Sequence, residues 1–262
     1  MTKDIIILIL LLIILFLTYL INKKKVKKLI YKSKIKKINI SDFDQIFEEK
    51  IISKNLKGPK EDAIVKSFII SPQNKVVGMT SDYEAWIISA LSKKSNKIFE
   101  FGTCSGKTTY LMALNSNNDA KITSLTIGPD QVKNLNKEST DNKISFRNII
   151  NESIYEKFLF SGTDVENKIN IIFEDSTKFD ESKYVNKFDL IFIDGGHTYS
   201  VVKNDSEKSF KMINKNGIIL WHDYVPGKQS AENVVNYLNE ISKEKNILNI
   251  RDTSLCLFRN SD

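Results

Sequence analysis

From residue 97 onward, short apolar runs alternate with stretches of helical period. The apolar runs are 97–101 (KIFEF), 121–127 (KITSLTI), 169–173 (INIIF), 188–193 (FDLIFI) and 217–221 (GIILW). Helix-like segments fall at 107–115, 129–138, 198–214 and 229–243. Two further runs, near 247–251 and 254–259, have too little between them for a helix and predict an antiparallel pair. Alternating strand and helix predicts an α/β domain: a doubly wound sheet, mostly parallel and covered on both faces, with one antiparallel C-terminal strand. Upstream, residues 38–70 read as a helical, partly polar connector broken at Gly58-Pro59, and Ser81-Asp82-Tyr83-Glu84 is a capping box opening a helix through Trp86, Ile87 and Leu91. No internal repeat is visible.

The N-terminus has a different pattern. Ile5 to Ile21 (IIILILLLIILFLTYLI) carries no charge. Seventeen helical residues span about 25 Å, near the short limit for a bilayer core. The run ends in Asn-Lys-Lys-Lys without a small-residue cleavage site, which favours an uncleaved transmembrane helix over a signal peptide. Only Lys3 and Asp4 precede it, whereas Lys23, Lys24, Lys25, Lys27, Lys28, Lys32, Lys34, Lys36 and Lys37 follow it. Positive flanks stay on the cytoplasmic side, so the expected topology is single-pass, with the bulk of the protein facing the cytoplasm and the lysine cluster on anionic headgroups. The domains are then a transmembrane anchor at 1–22, a basic juxtamembrane segment and helical connector at 23–70, and the α/β domain at 71–262.

The charge changes the picture once it is located. The chain of 262 residues carries a formal net charge of +7, but ten of its 39 basic and one of its 32 acidic residues lie in 1–37. The remainder is close to −2, which removes the compositional case for a nucleic-acid partner. The two cysteines, Cys104 and Cys256, have no metal-type spacing and read as unpaired thiols of a reducing compartment.

Ligands of parallel sheets bind outside the carboxyl ends of the strands, so the chemistry is sought in those loops. After the first central strand comes Glu100-Phe101-Gly102-Thr103-Cys104-Ser105-Gly106-Lys107-Thr108. Its Gly-Lys-Thr ending imitates a phosphate-binding P-loop, but the spacing requires a glycine where Phe101 stands, so a nucleoside triphosphate is disfavoured. Glu174-Asp175-Ser176 follows the third run, Asp194-Gly195-Gly196-His197-Thr198-Tyr199 the fourth, and His222-Asp223-Tyr224 the fifth. Both histidines of the chain fall in these loops.

On these motifs the chain resembles the class I S-adenosylmethionine-dependent methyltransferases, with their Rossmann-like sheet. More narrowly, it is similar to a bacterial branch whose fourth-strand motif I-D-G-x-H-x-Y-x-x-V-x-x-D matches Ile193 to Asp205 and whose following H-D pair matches His222-Asp223. The resemblance covers about residues 80–260. It implies that Glu100, Gly102, Thr103, Ser105 and Gly106 hold the methionine part of S-adenosylmethionine, the helix N-terminus taking its carboxylate. Asp175 and Ser176 would hold the adenine. Thr126 stands where the family usually places a ribose-binding acid, which weakens that contact by roughly 1–3 kcal/mol. Resemblance to metal-dependent O-methyltransferases implies Asp194, His222 and Asp223 as ligands of a divalent ion such as Mg²⁺, with Asp194 and His197 catalytic and His197 the proton acceptor. Purely structural roles stay open for Glu100 closing its loop, His197 capping a helix and His222 packing a loop. The expected acceptor is a small hydroxylated molecule or a lipid-linked glycan. The rival readings are a catalytically degenerate fold used for binding or scaffolding, motivated by Thr126, and a nucleotide-dependent enzyme.

Overall fold

The computed structural model describes residues 11–22, 33–71, 80–135, 138–139, 141 and 143–261. Residues 11–22 form helix α1, whose large apolar side chains are exposed. Strand β1 (Lys36–Ile38) is followed by strands β2 (Glu49–Ser53) and β3 (Leu56–Pro59), then α2 (Asp82–Ser92), β4 (Lys97–Phe101), α3 (Lys107–Asn115), β5 (Lys121–Thr126) and α4 (Lys143–Glu152). The chain continues through β6 (Ile169–Phe173), β7 (Phe188–Ile193), α5 (Tyr199–Met212), β8 (Ile213–Trp221), α6 (Glu232–Ile241), β9 (Leu248–Ile250) and β10 (Cys256–Arg259).

Eight strands form one sheet in the order β1-β9-β10-β8-β7-β4-β5-β6. The central strands β8, β7, β4, β5 and β6 are parallel. Their apolar runs are continuous because helices cover both faces. Phe99, Phe101, Ile191, Ile193 and Trp221 pack on one face with Val202, Met212, Val234 and Leu238 of α5 and α6. Ile98, Ile122, Leu190, Phe192 and Leu220 pack on the other face with Ile87, Ile88, Leu91 and Met112 of α2 and α3. The strand order reverses direction of winding at β4, so the carboxyl ends of β4 and β7 mark the switch point where such sheets bind ligands.

The expected C-terminal antiparallel pair is present, with a refinement: β10 inserts between β8 and β9 and runs antiparallel to both. Two expected elements differ. Among its described residues the segment 129–138 makes only a 3₁₀ turn at Val132–Asn134, and a helix falls instead at Lys143–Glu152. Val132 and Leu135 are too few apolar positions to anchor a helical stripe. The connector expected to be helical contains no α-helix among its described residues. β1 joins the edge of the main sheet beside β9, and β2 and β3 pair as a hairpin across Lys54-Asn55. β-Branched Ile51 and Ile52 suit a strand, and Pro59 ends β3 instead of breaking a helix.

The transmembrane helix lacks support. The described part of the apolar run, residues 11–21, is helical. Among the described residues no helix is long and apolar enough to cross a membrane. The first part of the run and the lysines at 23–32 lie outside the described residues.

Candidate active site

The loop between β4 and α3 is shaped by two glycines. Gly102 has φ +94°, and a Cβ placed on it would lie 2.3 Å from the Asp194 carbonyl oxygen, so the loops after β4 and β7 touch backbone to backbone. The Gly102 N–H donates to Leu125 O at 2.8 Å, and the Asp194 N–H donates to Phe101 O at 2.9 Å. Gly106 caps α3 at φ +81°, where a side chain would strike Phe158 and Phe160. Cys104, between the two glycines, also has positive φ, and burial pushes its thiol up to about 12.

Glu100 lies beneath this loop, 0% exposed, on the face covered by α3. Its Oε2 accepts from Thr109 Oγ1 of α3 and Ser124 Oγ of β5. With the Ser124 proton committed to Glu100, Thr103 Oγ1 donates to Ser124 Oγ at 2.7 Å. Glu100 Oε1 has no partner, and burial, aided by the charge of Asp194, raises the carboxyl to about 7 against the pull of the two hydroxyls. The residue expected to touch the ligand thus ties loop, helix and strand together from below and lines neither of the cavities above it.

Two cavities meet over Gly102. The first, of about 600 Å³ with its mouth, is walled by Thr126, Ile127, Leu135, Ile149, Asp175 and Ser176. Asp205 of α5 also lines it; burial brings its carboxyl up to about 7 although Ser176 and Asn204 hydrogen-bond to it. The second, of about 760 Å³, lies on the other side of the glycine loop and contains Thr103, Ser105, Asp194, His197, His222 and Asp223. Gly102, Cys104, Glu152 and Asp194 border both.

The strand-end loops bring together the predicted histidines and acids. His222 Nδ1 lies 2.9 Å from Asp194 Oδ1 and 3.4 Å from Asp223 Oδ2. His197 Nε2 lies 3.0 Å from Asp223 Oδ2 and 4.0 Å from Asp194 Oδ1. Burial opposes charge on His197, but the Asp223 hydrogen bond and the charges of Asp223, Glu152 and Asp194 outweigh it and raise the imidazole to about 9. The ring expected as a neutral base is therefore held as a cation when the cluster is metal-free. His222 is likewise raised, burial being overcome by Asp194, Asp223 and Glu84. Asp223 is held well below the carboxylate range because both histidines overcome its desolvation. Among the described residues the group with donor atoms close enough for one ion is Asp194, His197 and Asp223, all within 4.8 Å of one another. His197, expected only as the proton acceptor, thus joins the two acids of the expected metal set, while His222 faces the same two acids through Nδ1.

Three contributors carry no signal in the sequence that marks them as part of the site. Glu152, at the end of α4, borders both cavities, and burial lifts its carboxyl to about 7. Asp205 is the last letter of the fourth-strand motif, without a role expected for it. Glu84, expected only as a helix cap, closes the capping box with Ser81, but its Oε1 also accepts from Ser254 N and Oγ at 2.7 Å, and its Oε2 sits 3.5 Å from His222 Nε2. Lys107 of the imitation P-loop donates to Thr80 O at 3.1 Å and lines the second cavity.

The arrangement is that of a Rossmann-like methyltransferase fold: a parallel sheet with a reversed strand near its end and a ligand crevice at the switch point. Residues 99–224, just under half the chain, match a family model described as a methyltransferase domain. Cofactor-bound Rv0187 from MTB is similar in structure, with a TM-score of 0.50 at 12% identity over 71% of this chain and 83% of that one. The SAH-bound methyltransferase PaMTH1 of Podospora anserina matches with a TM-score of 0.50 at 15% identity over 70% of this chain and 80% of that one. At such identities the likeness is one of fold. No curated protein matches the sequence.

Proposed function

We propose that the chain is an S-adenosylmethionine-dependent O-methyltransferase acting on a small hydroxylated or sugar acceptor. The observation that carries this reading is the shared wall of Gly102, Cys104, Glu152 and Asp194 between an apolar, base-sized slot and a histidine–carboxylate cluster. The residues fit the donor. Leu135, Ile127 and Ile149 offer flat apolar contact for a purine, Asp175 and Ser176 offer polar edges, and Gly102 keeps side chains out of the junction. Thr103 and Ser105 lie on the far side of the junction, where the methionine end belongs. The donor supplies an electrophilic methyl group. Within the cluster, Asp194, His197 and Asp223 would hold a divalent ion, whose charge lowers the pKa of an acceptor hydroxyl. Asp194 would orient the acceptor, and His222, braced by Glu84, would fix the carboxylates.

A membrane-linked acceptor is part of the proposal. It rests on the apolar run at 5–21 and the lysines after it, which would hold the domain at a cytoplasmic bilayer face. Thr126, which offers the ribose no charge, keeps the degenerate binding protein as the second reading. Calorimetry with S-adenosylhomocysteine (SAH) separates the two. Saturable binding supports the enzyme, and absence of heat and of thermal shift at millimolar ligand sinks it. Should Asp194→Asn and Asp223→Asn leave methyl transfer unaltered, and a chelator too, the metal part is wrong.

A further inference from the structure

Lys107 sits where a cation is costly three times over. It is the first residue of α3, where the helix dipole repels positive charge. It is only 8% exposed, and among the described residues no carboxylate pairs with it and its one hydrogen bond, at 3.1 Å, goes to the neutral Thr80 carbonyl. Buried lysines are ordinarily paired. An ammonium has three donors, so two remain unspent. Lys107 lines both the second cavity and a larger cleft beside it, of about 1660 Å³, which shares His222, Asp223 and Lys228 with that cavity. Thr80 lines the same cleft, and its hydroxyl, although buried, has no hydrogen-bond partner among the described residues. The acids of the cleft nearest the cluster are engaged elsewhere: Glu84 with Ser81, Ser254 and His222, and Asp223 with both histidines and Lys228.

We propose that Lys107 and Thr80 form a subsite for an anionic group of the methyl acceptor, a carboxylate or phosphate, seated in the cleft beside His222 and Asp223. This rests on the methyltransferase reading and names the class of its substrate. Two unspent ammonium donors and an unpaired hydroxyl, side by side, call for a ligand that only accepts hydrogen bonds. Negative charge on that ligand also removes the cost of the buried cation. A neutral hydroxylated acceptor would leave Lys107 without a counter-charge. The donor's own carboxylate has the same chemistry and Lys107 lines the cavity given to its methionine end, but Thr80 lines only the larger cleft, which sets the subsite on the far side of the lysine from the donor.

The test uses the full chain saturated with SAH and inorganic phosphate as the probe, titrated by calorimetry. Wild type is expected to bind phosphate, Lys107→Met to bind it at least about tenfold more weakly, and Thr80→Val several-fold more weakly, in line with hydrogen bonds to a charged group. SAH affinity should stay within about threefold of wild type in both variants, which also shows that they are folded. Equal phosphate affinity in wild type and Lys107→Met, or no phosphate binding by the SAH-loaded wild type, overturns the subsite while leaving the methyltransferase reading standing. Weaker SAH binding by Lys107→Met, with 5′-methylthioadenosine binding unaffected, assigns the lysine to the donor's carboxylate and overturns it too. Failure of the wild type to bind SAH brings down the underlying function.

Discussion

Gly102 shows how little freedom the crevice has. Its φ of +94° disfavours any other residue, and a methyl group there would meet the Asp194 carbonyl at 2.3 Å and Gly195 Cα at 2.6 Å. Gly102→Ala must therefore push the loops after β4 and β7 apart. The expected result is a loss of at least about 2 kcal/mol of stability together with a loss of methyl transfer, read by thermal melts and turnover. A variant with wild-type activity would mean that the two loops need not touch. Glu100, one layer below, makes a different prediction. Its carboxyl is raised to about 7 from an ordinary 4.5, so between those pH values the folded state holds a proton that the unfolded state has released. Its contribution to stability is then lost as pH rises from about 4.5 to 7, and stays lost above that. Glu100→Gln carries no such charge. Its stability relative to wild type should climb across that window, by on the order of 1.4 kcal/mol for every pH unit between the folded and unfolded titrations. A pH-independent difference between the two melting curves would show that Glu100 is ionised at no cost.

At the scale of elements, the first turn of α2 is fastened to the active site. Ser81 and Glu84 close the capping box, and Glu84 also reaches Ser254 before β10 and His222 after β8. These two jobs separate by mutation. Ser81→Ala removes a cap and should cost about 1 kcal/mol of stability with little change in turnover. Glu84→Ala should lower both, because His222 loses the carboxylate that braces its outer nitrogen; equal turnover in the two variants would reduce Glu84 to a cap. The same residues show what the sequence makes legible. The capping box is local, so its four-residue spacing reveals it. The bond from Glu84 to Ser254 spans 170 positions and has no sequence signature. The central strands were readable because burial on both faces leaves unbroken apolar runs, and the acids and histidines were readable because they sit at the ends of those runs. The region 38–70 was not readable: Ile51, Ile52 and Leu56 are exposed in the hairpin, and the buried Ile40, Ile46 and Phe47 lie in three-residue 3₁₀ turns too short to show a period. Glu152 was missed with its helix, since α4 follows a polar stretch whose pattern placed the helix too early. That both His197 and His222 face Asp194 and Asp223 could be learned only from distances, because their order in the chain does not show it.

For the whole molecule, the question is how far the crevice can be from whatever holds the N-terminus. β1 pins residues 36–38 to the sheet edge beside β9, and Lys37 lines the cleft that Lys107 also borders. Between residue 22, the last described residue of α1, and residue 33 lie eleven peptide steps, which reach at most about 40 Å even when fully extended. If the apolar run enters a bilayer, the cleft is therefore confined to a shell close to the surface, where an acceptor tethered to lipid would be found and one diffusing in bulk would gain nothing. The lysines after the run would add about 1 kcal/mol each against an anionic leaflet, and this part must weaken with salt while an inserted helix does not. Full-length chain is thus expected to stay with anionic vesicles at high salt, and a chain lacking residues 1–22 to bind them at low salt and be released at about 0.5 M, beyond the range of surface screening. Since β1 and everything after it are untouched by that deletion, SAH binding should be the same in both forms. Release of the full-length chain by salt would mean that the apolar run does not insert, and the case for an acceptor held in the membrane would go with it.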